Sequence, residues 1–312
     1  MRFFDIGANM TDRMFQGEYN GKRKHEEDVS DVLARAETAG VRGMVVTAGK
    51  AEETLDAVAL IKKHPERKLW TTFGIHPTNS SVFSDETEEE LLGVYRKNKD
   101  FIVAVGECGL DYDRLEFADK ATQKKCFELH FNLSQATGLP MFLHLRNAFE
   151  DFVEIVSRRR GCFSKGVVHS FTGSEDEMEV LLGLGLHIGV NGCSLKKEET
   201  IECLSKAPLE RIMFETDAPW CGIRRTHAGM KYLLEAEIRK ERKKGSAGTR
   251  EELVKGRNEP CNIDQVCFVF SRGRREEVSA VSEKVYENTV SFFLSRGDAE
   301  EPGGDADRSA VC

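Results

Sequence analysis

The sequence predicts an α/β fold, a TIM (β/α)8 barrel with its chemistry at the carboxyl ends of the strands. Three observations predict it. Short runs rich in β-branched and aromatic residues alternate about eight times with longer amphipathic stretches. Most of the short runs are continuously apolar, which suits strands buried on both faces of a parallel sheet. Polar residues close successive runs at positions 47, 76, 107, 144, 169, 191 and 217, at intervals near one βα unit of roughly 30 residues. Eight such units in roughly 250 residues is the size of a TIM barrel. A doubly wound sheet is the runner-up. The turn after the first run reads Gly7-Ala8-Asn9-Met10-Thr11 and holds neither G-x-G-x-x-G nor a P-loop.

The elements follow in order. A strand at 3–6 precedes a helix at 27–39, which opens with acidic residues and stops at Gly40, a residue suited to the left-handed position past a helix end. A strand at 43–47 leads to a helix at 52–63, ended by Pro65, and a strand at 69–74 to a helix at 87–97. The strand at 101–106 is followed by a helix at 121–136, stopped by Gly138 and Pro140. Strands at 141–143, 166–168, 186–190 and 211–215 alternate with helices at 148–158, 175–184 and 197–206, and helices at 264–271 and 276–294 close the series. One domain is expected over 1–294, with a long insertion at about 221–262. Residues 221–257 carry eleven Lys or Arg against five Glu, and 239–246 read as their most solvated part. The acidic, aperiodic tail at 295–312 is expected to be disordered.

Composition bounds the function. The 312 residues are 40% hydrophobic and 31% charged, an ordinary globular balance, with a net charge of −8. That charge argues against coating nucleic acid over the whole surface and leaves room for an enzyme with a local basic rim. No apolar run is long enough to span a membrane, and the start reaches Asp5 before any signal-peptide core, so a protein inside the cell is expected. The nine cysteines form no C-x-x-C pair and read as thiols of a reducing compartment.

Five strands end in residues that can coordinate or ionise: His76, Glu107, His144, His169 and Asp217. Taken singly, a histidine there is a hydrogen-bonded scaffold residue and an aspartate a helix cap. Converging on one rim, the carboxylates would repel in a desolvated cleft, and one or two divalent cations would remove that cost. Mixed nitrogen and oxygen ligation suits Zn, Mn or Mg. Glu107 can bridge two ions, and Asp217 is placed to accept a proton from a metal-activated water. No Ser-His-Asp or Cys-His set offers a competing nucleophile, and no motif calls for an organic cofactor. His25, His64, His130 and His187 are expected to be structural, and His227 lies in the basic loop.

Asp5-Ile6-Gly7-Ala8-Asn9-Met10-Thr11-Asp12, Gly74-Ile75-His76-Pro77, Gly106-Glu107-Cys108-Gly109-Leu110-Asp111, Phe142-Leu143-His144-Leu145-Arg146, Val168-His169-Ser170-Phe171, Glu215-Thr216-Asp217-Ala218-Pro219-Trp220 and Arg257-Asn258-Glu259-Pro260 together resemble the TatD-like deoxyribonucleases, in order and from the first strand to about residue 293. The resemblance implies a metal-dependent hydrolase of DNA phosphodiesters on an amidohydrolase-related barrel. It makes Glu107 the shared metal ligand, with His144 and His169 on one ion and Asp217 on the other. It also implies a nuclear protein, as in similar eukaryotic members. Many members carry His-x-His after the first strand; here the place reads Gly7-Ala8-Asn9, so one metal site is open or completed by Asn9 or water.

For substrate, Arg146 is expected to hold a phosphate, with His76 and Asn191 as further contacts. Trp220 and Phe171 are candidates for stacking a terminal base, core packing being the stronger reading for Phe171. Single-stranded ends suit a barrel mouth better than long duplex. Two alternatives stand beside this: an ester or amide hydrolase of amidohydrolase type, and a metal-binding scaffold with little catalysis. The sequence leaves the oligomeric state open.

Overall fold

The computed structural model describes residues 1–84, 86–246 and 249–295, so the expected tail lies outside the described residues apart from Ser295. Among them, eight strands form one parallel sheet in chain order: β1 (Phe3–Ala8), β2 (Val41–Val46), β3 (Leu69–Phe73), β4 (Ile102–Asp111), β5 (Met141–Arg146), β6 (Gly166–Val168), β7 (His187–Val190) and β8 (Ile212–Phe214). The sheet closes through a parallel bridge between Ala8 and Ala218, reinforced by Asp217 N–H to Gly7 O at 2.8 Å and Asn9 N–H to Ala218 O at 2.7 Å. This is the TIM barrel that the alternating pattern predicts. The helices are α1 (Val29–Thr38), α2 (Ala51–Lys63), α3 (Thr87–Asn98), α4 (Lys120–Thr137), α5 (Phe149–Arg158), α6 (Glu175–Gly183), α7 (Glu198–Lys206), α8 (Ile263–Arg274) and α9 (Val278–Phe293).

The continuous apolar runs reflect two cores. Phe4, Ile6, Val45, Val103, Phe142 and Met213 pack together with Phe292 and Phe293 of α9. Phe3, Val46, Leu143 and Val168 join the helices in a separate cluster. A strand buried on both faces has no side left to be polar, so it cannot alternate.

Two strands run further than expected. Glu107 and His144 lie inside β4 and β5 and do not follow them. The pairing of β4 with β5 shifts register between Val105 and Cys108, then resumes as Cys108 with Leu143, Gly109 with His144, and Asp111 with Arg146. A bulge of this kind re-aims side chains without ending the ladder. Gly106, inside the shifted segment, permits it: at φ +141°, a Cβ there would fall 2.2 Å from the Phe142 carbonyl oxygen.

The basic insertion is also more ordered than a solvated run. Arg239 pairs bidentately with Asp264 at 2.8 and 2.6 Å, Glu241–Arg242 pair with Leu253–Val254, and the Lys244 ammonium lies over the Tyr19 ring. The Arg257-Asn258-Glu259-Pro260 segment anchors the loop after β8, since Asn258 donates to Thr216 O at 2.9 Å and its N–H to Pro219 O at 2.9 Å.

His130 of α4 is fully buried in the scaffold. Its Nε2 accepts the Ile75 N–H at 2.9 Å and its Nδ1–H donates to Cys126 O at 2.7 Å, which fixes the backbone one residue before His76. Burial pushes its pKa down to about 4, against a smaller upward effect of the Cys126 carbonyl. The unfolded chain therefore takes up a proton near pH 6.5 that the fold refuses until about pH 4. The neutral ring's contribution is complete above pH 6.5 and is lost as the pH falls towards 4. A loss of about 2 kcal/mol between pH 7 and pH 5 is expected from this group. His130→Gln keeps an acceptor for Ile75 and does not titrate, so urea titrations of that variant will show a shallower pH slope. Identical slopes in both proteins would remove the assignment.

Candidate active site

The mouth of the barrel gathers carboxylates and imidazoles in alternation. Glu107 Oε1 lies 2.8 Å from His144 Nδ1, 2.8 Å from His169 Nε2 and 3.4 Å from His76 Nε2. The far nitrogen of His144 faces Asp111 Oδ2 at 3.3 Å, and that of His169 faces Glu215 Oε2 at 3.5 Å. Each of these two rings is thus held between two carboxylates, drawn from β4, β5 and the ends of β6 and β8. His144 Nδ1 and His169 Nε2 are only 3.0 Å apart, so both converge on the same point as the Glu107 oxygen.

The electrostatics follow from that chain. Burial opposes ionisation of Glu107, but His169, His76 and hydrogen bonds from His144 and His169 hold it well below the usual carboxylate range. Burial presses His169 down, yet Glu107 and Glu215 raise it well above an ordinary imidazole. His144 is raised too, with burial outweighed by Asp111 and Glu107. His76 goes the other way, because burial exceeds the pull of Glu107.

Asp217 faces the group from the β8 side. Its backbone sits at φ 49°, its Oδ1 accepts from Asn9 Nδ2 at 2.9 Å, and its Oδ2 accepts from the Cys221 thiol at 3.2 Å. Thr47 Oγ1 donates to Asn9 Oδ1 at 2.7 Å and orients that amide. Burial pushes the Asp217 carboxyl up to about 7; His169 opposes this, and Glu215 and Glu107 add to it.

His76, Glu107 and His144 form a group whose donor atoms lie within 4.8 Å of one another, a spacing that can hold a metal ion. The donor set fits a divalent cation. Four carboxylates, Glu107, Asp111, Glu215 and Asp217, share the mouth with three imidazoles, and Glu215 Oε2 is buried without a hydrogen-bond partner among the described residues. Buried anionic oxygens in that number call for positive charge, and a divalent cation would supply more of it than the imidazoles do.

The residues expected to meet substrate are placed differently from one another. Arg146 ends β5 at the mouth, 43% exposed, with a loose 3.8 Å approach to Asp113. It lines a cavity of ≈ 340 Å³ with Phe149, Thr172 and Glu177. Asn191 is fully buried, and its amide donates to Glu215 Oε1 and Ser170 Oγ, both at 3.0 Å. Phe171 is buried in the core, whereas Trp220 is half exposed beside Asp217.

The sequence profile described as TatD related DNase matches residues 4–294. The chain belongs to that family. It is 38% identical to the Deoxyribonuclease Tat-D of Schizosaccharomyces pombe, across 94% of this chain and 96% of that one. It is 30% identical to a 3'-5' ssDNA/RNA exonuclease TatD of Yersinia pseudotuberculosis, across 93% and 98%. A crystal structure of a hydrolase TatD family protein from Entamoeba histolytica superposes with a TM-score of 0.89 at 38% identity, covering 94% of this chain and 98% of that one.

Within this TatD-family barrel, Asp111 and Glu215 enter the site without having been singled out from the sequence. Both had a signal: Asp111 is four residues past Glu107 and Glu215 two before Asp217, each on the same run. The Gly7 position explains part of the departure from His-x-His. A Cβ on Gly7 would lie 2.8 Å from Glu215 Oε2 and 3.1 Å from the Phe142 ring, so Glu215 and Phe142 fill the space a larger residue would need.

Proposed function

We propose that this TatD-family hydrolase cleaves DNA phosphodiester bonds at single-stranded ends, using two divalent cations. The observation that carries the reading is the convergence of three imidazoles on one buried carboxylate, Glu107, at a barrel mouth. Glu107, His144, His169 and Asp217 would hold the cations, with His76 close enough to complete the group. Bound there, a divalent cation supplies a Lewis acid for phosphoryl oxygens and makes water a nucleophile near neutral pH.

The chain's own residues do the rest. Asp217 takes the proton of the attacking water at its carboxylate. Asn9 and Cys221 orient that carboxylate from its two sides. Asn191 and Ser170 N–H fix Glu215, which in turn steadies the His169 ring. Arg146, whose approach to Asp113 is a loose 3.8 Å, holds a phosphate next to the scissile one. Trp220 offers a half-exposed ring for a terminal base. The same reading places the protein in the nucleus, where imaging of the tagged chain would check it.

The test is degradation of end-labelled single-stranded DNA with Mg, Mn, Zn or chelator. Cleavage is expected with cation and not with chelator. Arg146→Ala is expected to raise KM about tenfold, roughly the value of one charge-assisted phosphate contact, while cation binding by calorimetry stays unchanged. Intact DNA under every metal would end the nuclease reading. Loss of bound cation in Arg146→Ala would end the phosphate role.

A further inference from the structure

Two thiols meet at the mouth: Cys221, which orients Asp217, and Cys193, which has no part in the reaction above. Cys193 lies on the loop between β7 and α7, and Cys221 on the loop after β8. Their Sγ atoms are 2.7 Å apart, closer than two non-bonded sulfurs pack. The loops that carry them are fixed against each other by backbone. An added Cβ on Gly192 would lie 2.0 Å from the Cys221 carbonyl oxygen, so only glycine permits this approach. Further along, Ala228 N–H reaches Lys196 O at 2.9 Å and Gly229 N–H reaches Leu195 O at 3.0 Å. The two sulfurs are therefore opposed by a rigid frame. The other six described cysteines are buried, while these two are partly exposed. Lys196 and Arg146 direct positive charge at Cys193.

We propose that Cys193 and Cys221 are a redox modification site: a peroxide-class oxidant joins them in a disulfide across the mouth, and the link shuts the site by taking the Cys221 S–H away from Asp217. The chemistry balances with one peroxide. The Cys193 sulfur attacks a peroxide oxygen, the O–O bond breaks, and Cys193 becomes a sulfenic acid while the departing hydroxide leaves as water with the thiol proton. The Cys221 sulfur then attacks the sulfenic sulfur, the S–O bond breaks, and a second water leaves with the Cys221 proton. Two electrons pass from the sulfurs to the peroxide. A thiol reductant reverses the link by exchange.

The consequence reaches Asp217 directly. Its Oδ2 accepts the Cys221 thiol at 3.2 Å, and a disulfide sulfur has no proton to give. Partners of this kind orient the groups that act, and their loss costs about ten- to a hundredfold in activity. Cys193 is a neutral position by comparison, because it touches Asp217 only through Cys221.

The experiment treats the reduced full chain with equimolar hydrogen peroxide, alkylates the remaining thiols and maps the peptides by mass. A Cys193–Cys221 link is expected, together with a roughly tenfold or greater loss of DNA cleavage that dithiothreitol restores. Cys193→Ser is expected to keep basal activity and lose the peroxide response. Recovery of both cysteines as alkylated thiols after treatment would overturn the proposal, as would a link to any other cysteine. A mapped link that leaves cleavage unchanged would overturn the switch. The loss of activity rests on the nuclease reading, but the peptide map does not, so the two can fail separately.

Discussion

Glu107→Gln is expected to lower DNA cleavage by about a thousandfold or more while the protein remains folded. The carboxylate oxygen it alters is the one on which three imidazole nitrogens converge, at 2.8, 2.8 and 3.4 Å. Gln has the same shape and one remaining acceptor, so the barrel loses little packing. It has no negative charge, so the imidazoles of His144 and His169 lose the anion that raises them, and a divalent cation held as proposed would lose its central ligand. Preorganised electrostatic contacts at a reacting phosphate are worth about a hundred- to thousandfold each, and this substitution disturbs several at once. Calorimetry should show weakened cation binding and a thermal melt close to that of the parent. Cleavage within about tenfold of the parent, with cation still bound, would remove Glu107 from the centre of the mechanism.

Arg257→Ala should act on stability more than any surface change. The Arg257 side chain is wholly buried. Its guanidinium donates to Asp28 Oδ1 and Oδ2 at 2.7 and 2.6 Å, to Glu259 Oε1 at 2.8 Å and to Met14 O at 3.1 Å, and it lies over the Phe15 ring. Arg35 shares Glu259, at 2.7 and 3.1 Å. Removing Arg257 leaves the buried Glu259 and the nearly buried Asp28 with Arg35 between them. Breaking a buried pair from one side costs about 3–5 kcal/mol, and urea unfolding should read a loss of that size. Arg257→Lys should recover only part, because an ammonium cannot match the bidentate fork. The damage should extend to the site, since Asn258 ties this segment to Thr216 and Pro219 beside Asp217. A loss below about 1 kcal/mol would mean that the network carries no more than a surface pair.

This network also shows how local and tertiary information divide. The acidic residues at 27–31 read in the sequence as the opening of a helix. In the fold, Asp28 makes no side-chain cap and turns its carboxylate to Arg257, 229 residues away. Nothing in a local window specifies that choice, because the partner arrives only when the barrel closes.

The site divides in the same way. His144 and His169 are legible because each closes a short apolar run, and a residue at the end of a barrel strand must face the mouth. Glu107 is legible for the same reason, although β4 continues past it to Asp111. The continuation hides Asp111 and gives it to His144 at 3.3 Å. A bulge is a matter of pairing between strands, so the glycines of β4 permit the register shift after Val105 but do not fix which β5 residue each position then meets. Asn191 sits at a strand end as expected of a mouth residue, and its partner there, Glu215, is 24 residues away in the chain.

By itself the sequence determined the barrel, the rim on which the chemistry lies and the family, because strand period, helix ends and ordered motifs are local properties. Only the tertiary structure decided which donors share a carboxylate, that Cys193 faces Cys221, and that Arg257 neutralises Asp28. Those are contacts between segments far apart in the chain, and they are set by the register and closure of the whole sheet.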